Sequence, residues 1–86
     1  MAKYRIEIGK TATKQLKKIN IKDRTRLTKK ILSLADNPHP HGSIKMKGDS
    51  SAYRVRVGNY RIIYDVIERE IVILVLKIGH RKEVYR

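Results

Sequence analysis

The sequence contains no cysteine. That excludes a disulfide framework and any cysteine-ligated zinc site. Acidic residues are scarce, with 8 Asp and Glu against 21 Lys and Arg. No apolar run approaches the ~18 residues that a membrane-spanning helix needs. The longest, residues 71–76, suits a strand. The opening residues, MAKYRIEIGK, lack an apolar stretch followed by a small-residue cleavage site, so no secretion signal is expected. These absences lead to the expectation of a soluble cytoplasmic protein with no membrane partner. The 86 residues make one domain, residues 1–86, and a 41% hydrophobic content supplies one core and not two.

What is present is positive charge. The formal net charge is +13. Such an excess repels itself and weakens the compact state unless an anion relieves it. Nucleic acid is the usual partner, because neutralised phosphates release counterions. The plain alternative is a solvated, highly soluble surface.

Residues 3–8 alternate, with Tyr4, Ile6 and Ile8 on one face, and read as a first strand. Gly9 breaks it. A helix capped at Thr11 then runs to about Ile19, with Leu16 and Ile19 three apart. Asn20 interrupts. A second helix over residues 22–36 carries Leu27, Ile31 and Leu34 at helical spacing. The outer face of this hairpin is basic: Lys14, Lys17, Lys18, Lys22, Arg24, Arg26, Lys29 and Lys30. Asn37 and Pro38 end it. A turn-rich loop follows at residues 39–42, then a short extended piece over residues 45–48. Residues 53–57, 60–67 and 71–78 are strands rich in Val, Ile and Tyr. The fold class expected is α+β: an N-terminal strand, a helical hairpin and a three-stranded antiparallel meander, with both helices on one sheet face.

Gly58 and Asn59 separate the first two meander strands by two residues, and Gly at the first central position fits a type II′ hairpin. A two-residue loop pairs Val57 with Tyr60 and sets Arg56 opposite Arg61. Arg54 then shares their face, while Val55, Val57, Tyr60 and Ile62 point to the helices. Tyr4, Tyr53, Tyr60 and Tyr64 fall on core-facing positions. Like charges directly across a strand pair destabilise a sheet. They persist most readily with an anion between them, and arginine grips phosphate bidentately. The face therefore reads as a phosphate site, or else as a solvated row with its charges splayed apart. If Glu68 and Arg69 form a second two-residue turn, Ile63, Val72 and Leu74 continue the same face as an apolar stripe. That stripe is either a partner surface or a minor core. The tail returns His80, Arg81 and Tyr85 beside the arginines. There an arginine can stabilise a leaving oxygen, and a tyrosine can stack on a base or hydrogen-bond a phosphate.

The stretch from Tyr53 through Arg61 to Tyr64, then Gly79, His80 and Arg81, then Val84 and Tyr85, resembles the RelE family of toxins within the RelE/ParE superfamily of toxin–antitoxin proteins. The end of the second helix, Leu34 to Pro38, and the Lys45–Met46–Lys47–Gly48 segment fit the same pattern, so the resemblance covers essentially the whole chain. It implies cleavage of mRNA in the ribosomal A site without a metal or other cofactor. The 2′-hydroxyl attacks the adjacent phosphate and leaves a cyclic phosphate. It also implies a cognate antitoxin that wraps the toxin, inhibition of translation, and growth arrest on expression. The family's two basic residues on the first meander strand fall on Arg54 and Arg56. The arginine of the next strand falls on Arg61, and the tail arginine and near-terminal tyrosine on Arg81 and Tyr85. The best-known pattern has lysines where Arg54 and Arg56 stand. Arginine does not give up its proton in proteins. Arg54, Arg56 and Arg61 are thus assigned to charge stabilisation, and the base falls to Tyr85, His80, a ribosomal group or water.

On this reading the 30S A site and mRNA are the partners. Lys17, Lys18, Arg24, Lys45, Lys47 and His80 are the candidate RNA-binding residues beside the catalytic set. A ParE-like inhibitor of DNA gyrase on the same fold, and a nucleic-acid-binding module without catalysis, are the alternatives. His39 and His41 lack the further ligands that a metal site needs. Asp65, Glu68 and Glu70 are too scattered to act as a carboxylate pair.

Overall fold

The computed structural model describes residues 3–48 and 51–80. In chain order these form β1 (Arg5–Ile8), α1 (Lys10–Lys18), α2 (Ile21–Ser33), β2 (Ile44–Lys45), β3 (Ala52–Val57), β4 (Tyr60–Ile67) and β5 (Val72–His80). The strands make one five-stranded sheet in the order β1-β5-β4-β3-β2. The expected α+β architecture holds, with the short extended piece present as edge strand β2. β1 pairs parallel with β5, and every other pairing is antiparallel. One core lies between helices and sheet. Ala12, Leu27, Ile31 and Leu34 meet Val55, Ile62, Tyr64, Val66, Ile73, Val75 and Ile78 there. Tyr4, Tyr53 and Tyr60 pack against its margin.

The helix ends differ from expectation. Gly9, not Thr11, is the N-cap of α1. The Gly9 amide donates to the Val75 carbonyl (2.9 Å), so strand pairing persists up to the residue where the helix starts. A Cβ on Gly9 would lie 3.2 Å from that carbonyl, an approach that suits a glycine. Thr11 consequently sits inside the first turn. Asn20 does more than interrupt. It caps α2, its Oδ1 accepting from the Asp23 amide (2.9 Å) while its Nδ2 donates to Asp23 Oδ2 (2.9 Å). α2 stops at Ser33 and not at Asp36. Beyond it the amides of Ala35 and Asp36 bond three residues back, to Leu32 and Ser33. The Ala35 carbonyl turns aside to accept from the Tyr4 amide (3.0 Å).

The second hairpin turn is longer than expected. Ile67 pairs with Val72, so residues 68–71 form a four-residue loop and not a two-residue one. Ile71 closes it at φ 55, the one non-glycine at positive φ among the described residues. A β-branched residue is strained there. Its side chain is 44% exposed, so replacing it gives up little burial. Ile71→Asn, which enters this region readily, is expected to raise stability by about 0.5–1 kcal/mol. Urea denaturation checks this, and a fall in the midpoint would contradict the strain.

A β-bulge then resets β5. Tyr64 pairs with Val75 but Ile63 pairs with Lys77, so the register steps over Leu76. A one-residue slip exchanges faces. Ile73 and Val75 enter the core at spacing two, and Ile78 joins them at spacing three. The bulge thereby keeps Lys77 out of the core.

Tyr64 ties the loop after α2 to the sheet. It is fully buried, and its hydroxyl donates to the Pro38 carbonyl (2.8 Å). Burial pushes its pKa above the ordinary value, against a smaller lowering by a hydrogen bond with Ser43, and the charge of Tyr53 adds a lesser push upward. The stability this neutral hydroxyl contributes is complete below the ordinary tyrosine value of about 10 and is lost as pH rises through the higher folded value. An absorbance titration is expected to show one tyrosine ionising late, together with unfolding, and Tyr64→Phe is expected to remove that step. A single step near the ordinary value for all tyrosines would contradict it.

Candidate nucleic-acid interface

The first hairpin has the expected register. Val57 pairs with Tyr60, Arg56 with Arg61, and Arg54 with Ile63. Gly58 stands at φ 60 and Asn59 is not at positive φ, as a type II′ turn requires. Two arginines therefore lie directly across a strand pair, on the face away from the helices. Arg56 is exposed, and its Nε donates to the Gly58 carbonyl (2.9 Å). Arg54 and Arg61 are half-buried, and the Nε of Arg61 is itself buried. Asp65, on the same face, accepts a hydrogen bond from the Ser51 hydroxyl.

The sheet continues outward through β2. Ile44 pairs with Arg54 and Lys45 with Tyr53. Ile44, Lys45, Met46, Lys47 and Arg54 line a cavity of about 330 Å³. By register Ile44 shares the arginine face and Lys45, like Tyr53, the opposite one, but the cavity at this edge brings Lys45 and Lys47 beside Arg54 together with apolar Ile44 and Met46. Such a mixture suits a nucleotide, whose base is apolar on its faces and whose phosphate is anionic.

The other candidates separate from this group. Gly79 pairs with Arg61, while His80 pairs with Tyr60 and so shares the core-side face. The strand does not return His80 to the arginines as expected. Its ring instead meets that of Tyr60 edge-on at 5.9 Å. It lines a second cavity, about 520 Å³, with Gln15, Lys18 and Ile19. Lys17 and Lys18 on α1 and Arg24 on α2 belong to the helical layer. Arg81 and Tyr85 lie outside the described residues. The apolar stripe is no open patch either, since Ile63 and Val72 are buried and Leu74 is half-buried.

Sequence reading missed Lys77. The bulge puts it opposite Ile63, in the cross-strand row that also holds Arg54. A two-residue second turn without a bulge would have paired it with Tyr60 on the core side. The available signal was the spacing of three between Val75 and Ile78 after a spacing of two between Ile73 and Val75. Among the described residues no group of three His, Asp or Glu is placed to hold a metal ion. His39 packs against Tyr53 at 4.7 Å and approaches Glu68 at 4.0 Å.

Residues 6–85 match the family model described as the ParE toxin of type II toxin–antitoxin systems, parDE. The chain belongs to this RelE/ParE family of toxins. A putative toxin RelE1 of Methanocaldococcus jannaschii is 31% identical, covering 98% of this chain and 97% of its own length. The mRNA interferase toxin RelE of Escherichia coli is 28% identical, over 95% of this chain and 90% of its own. A chain of the archaeal RelE–RelB complex from Pyrococcus horikoshii superposes with a TM-score of 0.78 at 31% identity, covering 94% of this toxin and 97% of that chain.

Proposed function

We propose that this toxin is a ribosome-dependent mRNA endonuclease that inhibits translation. The observation that carries the reading is the facing pair Arg56 and Arg61 beside Arg54. A relative named as an mRNA interferase supports RNA as the substrate. In the reaction the 2′-oxygen bonds to the adjacent phosphorus, the bond from phosphorus to the 5′-oxygen breaks, and a cyclic phosphate remains. The 2′-hydroxyl loses a proton and the departing oxygen gains one. Negative charge grows on the phosphoryl oxygens in the transition state, where preorganised guanidinium groups act best. Arg54, Arg56 and Arg61 hold that charge, and Arg81 and Tyr85 complete the catalytic set from the tail. Lys45 and Lys47 follow the RNA backbone, while Lys17, Lys18, Arg24 and His80 meet ribosomal RNA around the 30S A site. The toxin works in the cytoplasm and is held inactive by a cognate antitoxin, as the RelE–RelB pairing of a structural relative supports.

A second reading rests on one observation, that the matching family model is itself described as ParE. It makes the toxin a gyrase inhibitor. The two separate on expression of the chain without antitoxin. Growth arrest with new 5′ ends inside coding sequences, and unchanged gyrase supercoiling by the purified protein, is the expected outcome. Loss of supercoiling with intact messages would establish the second reading.

A further inference from the structure

The first hairpin turn is exposed, yet it aims two of the arginines assigned to the scissile phosphate. Arg56 and Arg61 form the second pair out from this turn, so a group packed against it bears on their alignment. The structure places a third arginine against it. A Cβ built on Gly58 would lie 3.0 Å from Nη2 of Arg26, 3.3 Å from Nη1 and 3.4 Å from Cζ. Three atoms of one guanidinium at nearly equal distance mean that the group packs broadly against the turn, over the site where a side chain would stand. Glycine is needed here twice, for φ 60 and for this approach.

Arg26 is in turn held on α2. Its Nη1 lies 3.7 Å from Asp23 Oδ1, and Asp23 is locked by the reciprocal hydrogen bonds with the cap residue Asn20. On the far side of the turn, the Gly58 carbonyl accepts from Arg56 Nε. A continuous path thus runs from the start of α2, through Asp23 and Arg26, across Gly58, to Arg56 and its partner Arg61. No strand hydrogen bond lies on that path before the turn. The helical layer therefore reaches the turn that joins β3 and β4.

We infer that Arg26 is a positioning residue for the phosphate site, acting through Gly58 on the aim of Arg56 and Arg61. The inference rests on the RNA-cleavage reading and extends it to a residue on the other layer of the fold. The planar guanidinium, not its charge alone, is what the contact uses, so lysine is no substitute. A displaced turn misaligns groups that must meet the transition state, and small misplacements of this kind are costly in rate.

The test is single-turnover cleavage on programmed ribosomes by the wild-type toxin, Arg26→Ala and Arg26→Lys. The saturating rate and the half-saturating toxin concentration are read separately, and thermal midpoints are recorded. Both variants are expected to lose roughly tenfold in saturating rate, with half-saturation within about threefold and folding retained. The Arg56 Nε–H signal, followed by NMR in the free toxin, is expected to shift in both. A wild-type-like rate in Arg26→Lys overturns the inference, because charge alone then suffices. So does a loss confined to half-saturation, which makes Arg26 a docking cation, or an unmoved Arg56 signal. Absence of cleavage by the wild type is a different result, since it removes the RNA-cleavage reading itself.

Discussion

Arg61→Ala is expected to slow single-turnover mRNA cleavage by roughly a hundredfold or more while leaving the fold intact. Its position argues for an effect on rate. Arg61 stands opposite Arg56 on one side and opposite Gly79 on the other, so the β5 residue directly across from it brings no side chain. Its Nε is buried, which restricts the directions its guanidinium can take. A cation restricted in this way stabilises developing phosphoryl charge without first having to reorganise. Removal also relieves a like-charge pair, so stability is expected to hold or to rise slightly. Cleavage at the wild-type rate in a folded Arg61→Ala protein would remove this residue from the site.

Leu27→Ala is expected to have the opposite profile. Leu27 is fully buried where α2 meets the sheet, in one cluster with Val55, Ile62 and Tyr64. Truncating such a side chain costs about 2–5 kcal/mol, from lost transfer free energy and from the cavity left behind. A domain of this length has a total stability of about 4–13 kcal/mol. The high net charge works against compactness as well. The variant should therefore unfold at a much lower urea concentration, by roughly 1–3 M, with the slope of the transition unchanged. A loss below about 1 kcal/mol would show that the helix–sheet contact is not the stabilising one. Activity per folded molecule should be near that of the wild type, since Leu27 lies on the core side and the arginines on the other.

The contrast between the two hairpins explains what could be read from the chain. At Gly58 and Asn59 the turn chemistry specifies its own length, and every pairing from Val57 with Tyr60 to Arg54 with Ile63 follows from it. Residues 68–71 carry no such signal. A strained Ile71 closes that loop, and nothing local announces an isoleucine at positive φ. The longer loop shifts the pairing of β5 by two residues and leaves its faces unchanged; it is the bulge that moved Lys77 off the core side and His80 onto it. Both faces of β5 are apolar over much of its length, so alternation alone could not set its register. Helix ends were misread for a similar reason. Gly9 and Ala35 serve the pairing of the N-terminal strand, a long-range demand that side-chain spacing does not encode. The contact of Arg26 with Gly58 joins residues distant in sequence, and only the folded chain brings them together.

The charge distribution follows the same logic. Basic residues are dense along the whole sequence, and composition alone could not sort them. The fold sorts them into two sets. Arg54, Arg56, Arg61 and Lys77 share one sheet face, while Lys17, Lys18 and Arg24 belong to the helical layer. Such a division allows one set to hold a substrate strand while the other engages a larger anionic body. That is the arrangement the proposed ribosome-dependent nuclease would use.

Mapping the cut positions on a defined message, incubated with purified toxin in the presence and absence of ribosomes, tests this account most directly. The predicted result is cleavage within the open reading frame only when ribosomes are present, with cyclic phosphate on the upstream fragments and loss of the cuts in Arg61→Ala. An intact message in the presence of translating ribosomes, or an identical cut pattern without them, would contradict it.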